Sequence, residues 1–165
     1  LDQWHPPFCG DMDLTIKANG EWWHEGRRMT RQKLIDLFAT VLWREGDAYF
    51  LKTPVEKIGI QVEDVPLFIE EVNLLQLADG AYIECLTTHQ DRIVLDSEHV
   101  LQMRAFQGEL KPYVTIRTNL DARIARHAFY HIVSWCDLQE DGEHTVLSIP
   151  MGASQQHLSI DNMAF

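Results

Sequence analysis

Residues 118–135 read TNLDARIARHAFYHIVSW. Two ridges, Leu120, Ile124, Ala128, Ile132 and Ala125, Phe129, Val133, recur at helical spacing. This spacing predicts a helix over 119–135, capped by Thr118 or Asn119 and ending near Trp135. A second run, TRQKLIDLFATVLWR at 30–44, places Leu34, Leu37, Phe38, Val41 and Leu42 on one stripe, widened by Ile35. Thr30 stands at its N-cap position and Gly46 where a C′ glycine belongs, so a helix is expected from Arg31 to Arg44. Moving the first run by 90 positions lays Leu34 on Ile124, Ile35 on Ala125, Phe38 on Ala128 and Leu42 on Ile132. An arginine-bearing strand leads into each helix, with Arg27 and Arg28 before Thr30 and Arg117 before Asn119. The expected fold class is α+β: two small lobes, 1–78 and 79–165, with a repeated strand–helix motif and antiparallel sheets.

Around these helices the chain reads as short strands. DLTIK, Asn19-Gly20 and EWWH predict a hairpin within 11–29. AYFLKT at 48–53 alternates weakly, and EKIGIQVE at 56–63 puts Ile58, Ile60 and Val62 on one face. LFIEEVNLLQL at 67–77 fits strand or helix; strand is preferred because Asp79-Gly80 closes it as a hairpin into AYIECLTT. IVLD, VLQMRAF and YVTIR continue the β pattern, and TVLSIPM with HLSI predicts a last hairpin.

The chain has 165 residues, enough for one domain or two small ones. Apolar residues make up 45%, which supports a packed core and excludes disorder. The net charge of −11 divides evenly, −5 for residues 1–77 and −6 for 78–165. That charge repels phosphate backbones and anionic lipid, so nucleic acid is an unlikely partner. No apolar run is long enough for a membrane span. No charged-then-apolar leader opens the chain, and a cytoplasmic location is expected. Cys9, Cys85 and Cys136 are an odd, widely spaced set, read as reduced thiols with two of them buried.

Several strings form a recognisable series. These are Trp4-His5-Pro6-Pro7-Phe8-Cys9-Gly10, then Asp13, Ile16 and Asn19-Gly20-Glu21-Trp22-Trp23-His24-Glu25-Gly26. Thr53-Pro54-Val55-Glu56-Lys57 and Val62-Glu63-Asp64-Val65-Pro66 follow. Pro112-Tyr113, Arg117, Arg126 and Phe129-Tyr130 carry a looser match in the C-terminal half. The whole chain resembles the bacterial family called domain of unknown function 1285. The resemblance implies a two-lobed α/β protein with a repeated strand–helix motif and a C-terminal lobe superficially like a pleckstrin-homology roll. It also implies a ligand-binding or signalling role at the lobe interface, and it supplies no catalytic motif.

His127 and His131 are spaced for joint metal ligation, but Ala128 stands where HExxH has its base, and Arg123 and Arg126 would repel a cation. No metal or cofactor is expected. Glu56 and Asp64 fall on the face of Ile58, Ile60 and Val62, with Lys57, Arg27 and Arg117 as candidate partners. A buried carboxylate pair of this kind, with His24, would serve an enzyme working without a cofactor. No nucleophile or phosphate-loop motif is present, which argues against catalysis. Basic residues gather at the two helix entries: Arg27, Arg28, Arg31 and Lys33 at the first, Arg117, Arg123 and Arg126 at the second. Guanidinium groups at a helix N-terminus suit phosphate or carboxylate. Of Trp22 and Trp23, adjacent on a strand, one is expected to be exposed or at the lobe seam.

The reading is therefore a cytoplasmic, non-enzymatic ligand-binding or regulatory protein. Its ligand site comprises His24, Arg27, Arg28, Arg31, Glu56, Lys57, Asp64, Arg117 and Arg126. The expected partner is an anionic small molecule or an acidic protein segment, with self-association into a homodimer left open. The alternatives are the carboxylate enzyme and a protein–protein adaptor working through its acidic surface.

Overall fold

The computed structural model describes residues 1–161. It divides into two compact units, Leu1–Pro66 and Leu67–Phe165.

In the first unit, β1 (Phe8–Ile16), β2 (Trp22–His24), β3 (Arg27–Arg28), α1 (Gln32–Thr40), β4 (Leu42–Glu45), β5 (Ala48–Lys52) and β6 (Lys57–Val62) follow in turn. The strands form one sheet in the order β3-β2-β1-β6-β5-β4. The first hairpin turns at Asn19-Gly20 as expected: Gly20 has φ 91°, and its N–H donates to the Lys17 carbonyl at 3.0 Å. The Asn19 side chain also accepts from the Glu21 N–H at 3.0 Å. β1 and β6 pair in parallel, while the other pairings in this sheet are antiparallel. Leu14, Ile16, Trp22, Ile35, Ala39, Leu42, Leu51 and Ile60 are buried. Phe38 of α1 stacks on Trp22, with ring centroids 6.5 Å apart.

In the second unit, β7 (Leu67–Leu77), β8 (Gly80–Thr87), β9 (Arg92–Val94), β10 (Leu101–Phe106), β11 (Glu109–Arg117) and β12 (Leu120–Ile124) precede α2 (Arg126–Ser134). Then come β13 (Asp137–Asp141), β14 (His144–Gly152) and β15 (Ser154–Ser159). The sheet runs β10-β11-β12-β7-β8-β14-β13, with β9 added on β8 and β15 on β14. β12 lies parallel to β7 and antiparallel to β11. The β7–β8 hairpin across Asp79-Gly80 and the β14–β15 hairpin agree with the sequence reading.

The fold class corrects the expectation. The protein is mostly β with mixed sheets, not an α+β fold of repeated strand–helix motifs. Each helix of the described residues is only nine residues long. The first stops at Thr40, because Val41 leaves helical geometry and Leu42–Glu45 pair with Ala48–Leu51. Gly46 (φ 59°) therefore turns this hairpin and does not close a helix. The second expected helix loses its first third to β12. There Leu120, Ala122 and Ile124 alternate at period two and are buried between β11 and β7. A segment holding small and branched apolar residues satisfies both periods, and inclusion in the middle of a sheet decides between them. The shift by 90 positions thus lays helical Leu34 on extended Ile124, and the inferred repeat fails. The antiparallel pleckstrin-homology-like roll expected of the C-terminal lobe is replaced by the mixed sheet. The caps also move: Arg31 and Ala125 precede the helices, and neither closes its helix with a side chain.

Candidate functional site

The second unit carries an open cleft of about 450 Å³ beside the start of α2. It is lined by Glu109, Leu110, Lys111 and Pro112 of β11, Arg123 and Ile124 of β12, and Arg126, Phe129 and Tyr130 of α2. The register creates it. Tyr113 opposes Arg123 across the β11–β12 ladder, so Lys111 and Arg123 approach the same end of the pair. The chain then turns through Ala125 into α2, whose first residue is Arg126. Phe129, 1% exposed, anchors the helix in the core, while Tyr130, the next residue, is 41% exposed. Three cationic side chains therefore stand around an apolar wall of Pro112, Ile124 and Phe129.

The electrostatic balance of this cleft is positive on an acidic protein. Lys111 is 3.4 Å from the Glu109 carboxylate. Arg123 lies over the Phe68 ring at 5.3 Å. Arg126 is exposed and enters no ion pair among the described residues. Ala125, at the N-cap, has no side-chain oxygen to occupy the first-turn N–H groups.

The predicted site residues are distributed over other places as well. Arg126 lines the cleft. Arg117 ends β11 and reaches Asp91 at 3.5 Å. His24, Arg27 and Arg28 are grouped on the β2–β3 hairpin of the first unit, where His24 opposes Arg27. Arg28 is paired there with Glu21 at 3.1 Å, and His24 is 3.9 Å from Glu25. Arg31 is exposed at the N-cap of α1, and its carbonyl accepts from Leu34 and Ile35. Glu56 is exposed in the β5–β6 turn, with its carbonyl accepting from the Thr53 N–H at 2.8 Å. Lys57 opens β6 and is held by both oxygens of Glu45 at 3.0 Å. Asp64 follows β6, partly buried, and has interaction partners of its own. Trp22 is buried and Trp23 half-buried, its indole N–H donating to Glu21 at 3.3 Å.

Sequence reading missed Lys111 and Tyr130 as lining residues, and placed Arg123 on a helix. The signal that finds them is pairing: once 120–124 is a strand antiparallel to 113–117, Lys111, Arg123 and Arg126 fall beside one another. Of the histidine pair, His127 hydrogen-bonds the Glu70 carbonyl at 3.0 Å and His131 stacks on Trp135 at 6.0 Å. Among the described residues no three His, Cys, Asp or Glu side chains are placed to hold one metal ion. The three cysteines are free. Burial, reinforced by the neighbouring carboxylate, pushes the Cys85 and Cys136 thiols up to about 12. Among the described residues no helix is long and apolar enough to cross a membrane.

Comparison with known proteins leads to one family. Residues 1–65 match the N-terminal domain of DUF1285, a domain of unknown function, and residues 66–153 match the C-terminal domain of the same family. No curated protein matches. A DUF1285 family protein from Silicibacter pomeroyi is similar over 96% of this chain and 84% of its own, with 31% identity and a TM-score of 0.84. A second, from Shewanella baltica, is similar over 73% of this chain and 90% of its own, with 27% identity and a TM-score of 0.57. The matches run through both units, and the chain belongs to the DUF1285 family.

Proposed function

We propose that this protein is a non-enzymatic, regulatory ligand-binding protein whose ligand is a small phosphate- or carboxylate-bearing molecule. The ligand occupies the cleft between β11, β12 and the start of α2. The observation that carries this reading is the convergence of Lys111, Arg123 and Arg126 on one cleft of a protein with net charge −11. Guanidinium forks favour bidentate oxyanions. The wall of Pro112, Ile124, Phe129 and the exposed Tyr130 accommodates an apolar or planar body attached to the anion. Binding is favoured over chemistry because the cleft's polar side chains are three cations, the Tyr130 phenol and one ion-paired carboxylate, Glu109, an arrangement that suits holding an anion. Free thiols at Cys9, Cys85 and Cys136 fit a reducing, cytoplasmic compartment.

The test is a thermal-shift series with inorganic phosphate, phosphorylated metabolites and short di- and tricarboxylates, at matched ionic strength. Binding to the native state raises the melting temperature in proportion to the logarithm of ligand over Kd. Arg126→Gln and Arg123→Gln should each weaken the best ligand by about ten- to a hundredfold, the worth of one charge-assisted hydrogen bond. Protection by none of these anions, or unchanged affinity in both variants, overturns the reading. Binding confined to acidic peptides would move the ligand class to a protein segment.

A further inference from the structure

A different cleft, in the first unit, carries a buried ammonium with no direct ion pair. It is open to solvent, spans about 340 Å³ and is lined by Trp4, His5, Pro6, Glu45, Lys52 and Lys57. Lys52 on β5 and Lys57 on β6 are direct cross-strand partners. Like charges directly opposite on a sheet repel, so the arrangement is unfavourable unless anions are shared between them. One carboxylate lines the cleft; it attracts Lys52 through space, but its hydrogen bonds go to other groups. Both Glu45 oxygens accept from the Lys57 ammonium at 3.0 Å, and Glu45 Oε1 also accepts from the Trp43 indole at 3.0 Å. Lys52 is left with the face of the Trp43 ring, 3.7 Å from its ammonium. Its backbone N–H donates to the Val41 carbonyl at 2.8 Å, but its ammonium makes no hydrogen bond and no ion pair within 4 Å among the described residues, although the residue is only 4% exposed. A cation–π contact replaces part of the lost hydration of an ammonium and satisfies none of its three N–H donors.

We propose that this cleft is a second anion site, which binds the carboxylate of a small organic acid against Lys52. The ligand's oxygens would accept from the Lys52 ammonium and neutralise the Lys52–Lys57 pair. Trp4 and Pro6 supply an apolar border for a short hydrocarbon body. The Lys and Glu side chains bordering the cleft are Lys52, Lys57 and Glu45, two cations against one anion, so a monoanion balances them. This site is independent of the cleft beside α2, since it uses other residues in the other unit.

The experiment follows the Trp43 indole resonance in two-dimensional 1H–15N spectra, assigned with Trp43→Phe. The probes are sodium acetate and sodium benzoate, each against sodium chloride at equal ionic strength. The expected result is a saturable shift of the Trp43 indole in the wild type, weakened at least about tenfold in Lys52→Met and unchanged in Arg126→Gln. Lys52→Met should also raise the melting temperature at low salt, because it removes a buried ammonium whose donors have no partner and relieves its repulsion with Lys57. A wild-type response no larger than that to chloride overturns the site, whatever the variants do. Equal responses in wild type and Lys52→Met overturn it too. Loss in Arg126→Gln would merge it with the α2 cleft and overturn its independence. Failure of phosphorylated ligands to protect the wild type bears only on the α2 cleft.

Discussion

Replacing Asp121 with Ala tests how the β11–β12 ladder is held beside the cleft. Asp121 on β12 is 8% exposed. Its carboxylate accepts from the Thr115 hydroxyl at 2.6 Å and from Arg104 at 3.1 Å. Arg104 itself lies over the Tyr113 ring at 4.2 Å. Deleting one member of a buried ion pair costs about 3–5 kcal/mol when the remaining charge stays dry. Here the Arg104 side chain is 41% exposed, so water takes up much of its charge and the ionic part shrinks towards the range of surface pairs. The Thr115 hydroxyl loses its acceptor, which costs about 1 kcal/mol more. The expected loss is about 2–3 kcal/mol. Equilibrium urea unfolding followed by circular dichroism should show the midpoint falling by roughly 2 M with the slope unchanged, for a slope of about 1–1.5 kcal/mol/M. Asp121→Asn keeps an acceptor for Thr115 and should lose about half as much. A shift under about 0.5 kcal/mol for Asp121→Ala would refute the view that this network holds the ladder, and would leave the strand to its apolar neighbours.

Three further outcomes are expected. Gly152→Ala should destabilise by about 1–3 kcal/mol in the same urea assay, since φ is +64° and a Cβ would meet the Tyr82 hydroxyl and the Asp79 carboxylate that bond one another. Under native conditions a thiol reagent should label Cys9 first and leave Cys85 unmodified, because Cys9 is exposed and burial holds the Cys85 thiol near 12; all three should react in denaturant. Hydrogen bonds hold Glu21, Glu45, Glu63 and Asp161 below their ordinary values of 4.5 for Glu and 3.8 for Asp. A lowered carboxylate stabilises the native state above its unfolded value, and that stability fades as pH falls through the lowered one. Melting temperature should therefore decline gradually as pH drops below about 4.5, and Asp161→Asn should make that decline shallower.

The turns were legible in the sequence because their chemistry is local. Asn19-Gly20 and Asp79-Gly80 demand particular backbone angles wherever they stand, and both turn hairpins in the structure. The helices were half legible. Ile35 and Ala39, or Phe129 and Ile132, have helical spacing and do pack as helices. Leu120 to Ile124 have it too, and become a strand because β11 and β7 lie ready on either side. Nothing within the segment encodes that neighbourhood. The same non-locality hid the cleft. Arg126 was visible as a basic residue at a helix start, but Lys111 joins it only through pairing between strands. Lys52 was hidden more fully: a lysine in an alternating strand reads as a solvent-facing residue, and its burial depends on Trp43 in another strand.

The two parallel pairings have a kinetic meaning. Each sheet is mostly built from hairpins, which close over short stretches of chain and form early. The exceptions are β1 with β6, β12 with β7 and the short antiparallel contact of β8 with β14; the two parallel ones join segments roughly 50 residues apart. Such contacts are entropically expensive until the intervening chain is ordered. Their closure is expected to lie late on the folding path, after hairpins have formed on both sides. Until then β1 and β7 each present an unpaired edge, the kind of surface on which nascent chains aggregate. Slow refolding and temperature-sensitive expression should thus trace to substitutions along these two seams, at Gly59 or Ala122 for example, before they trace to changes in the hairpins themselves.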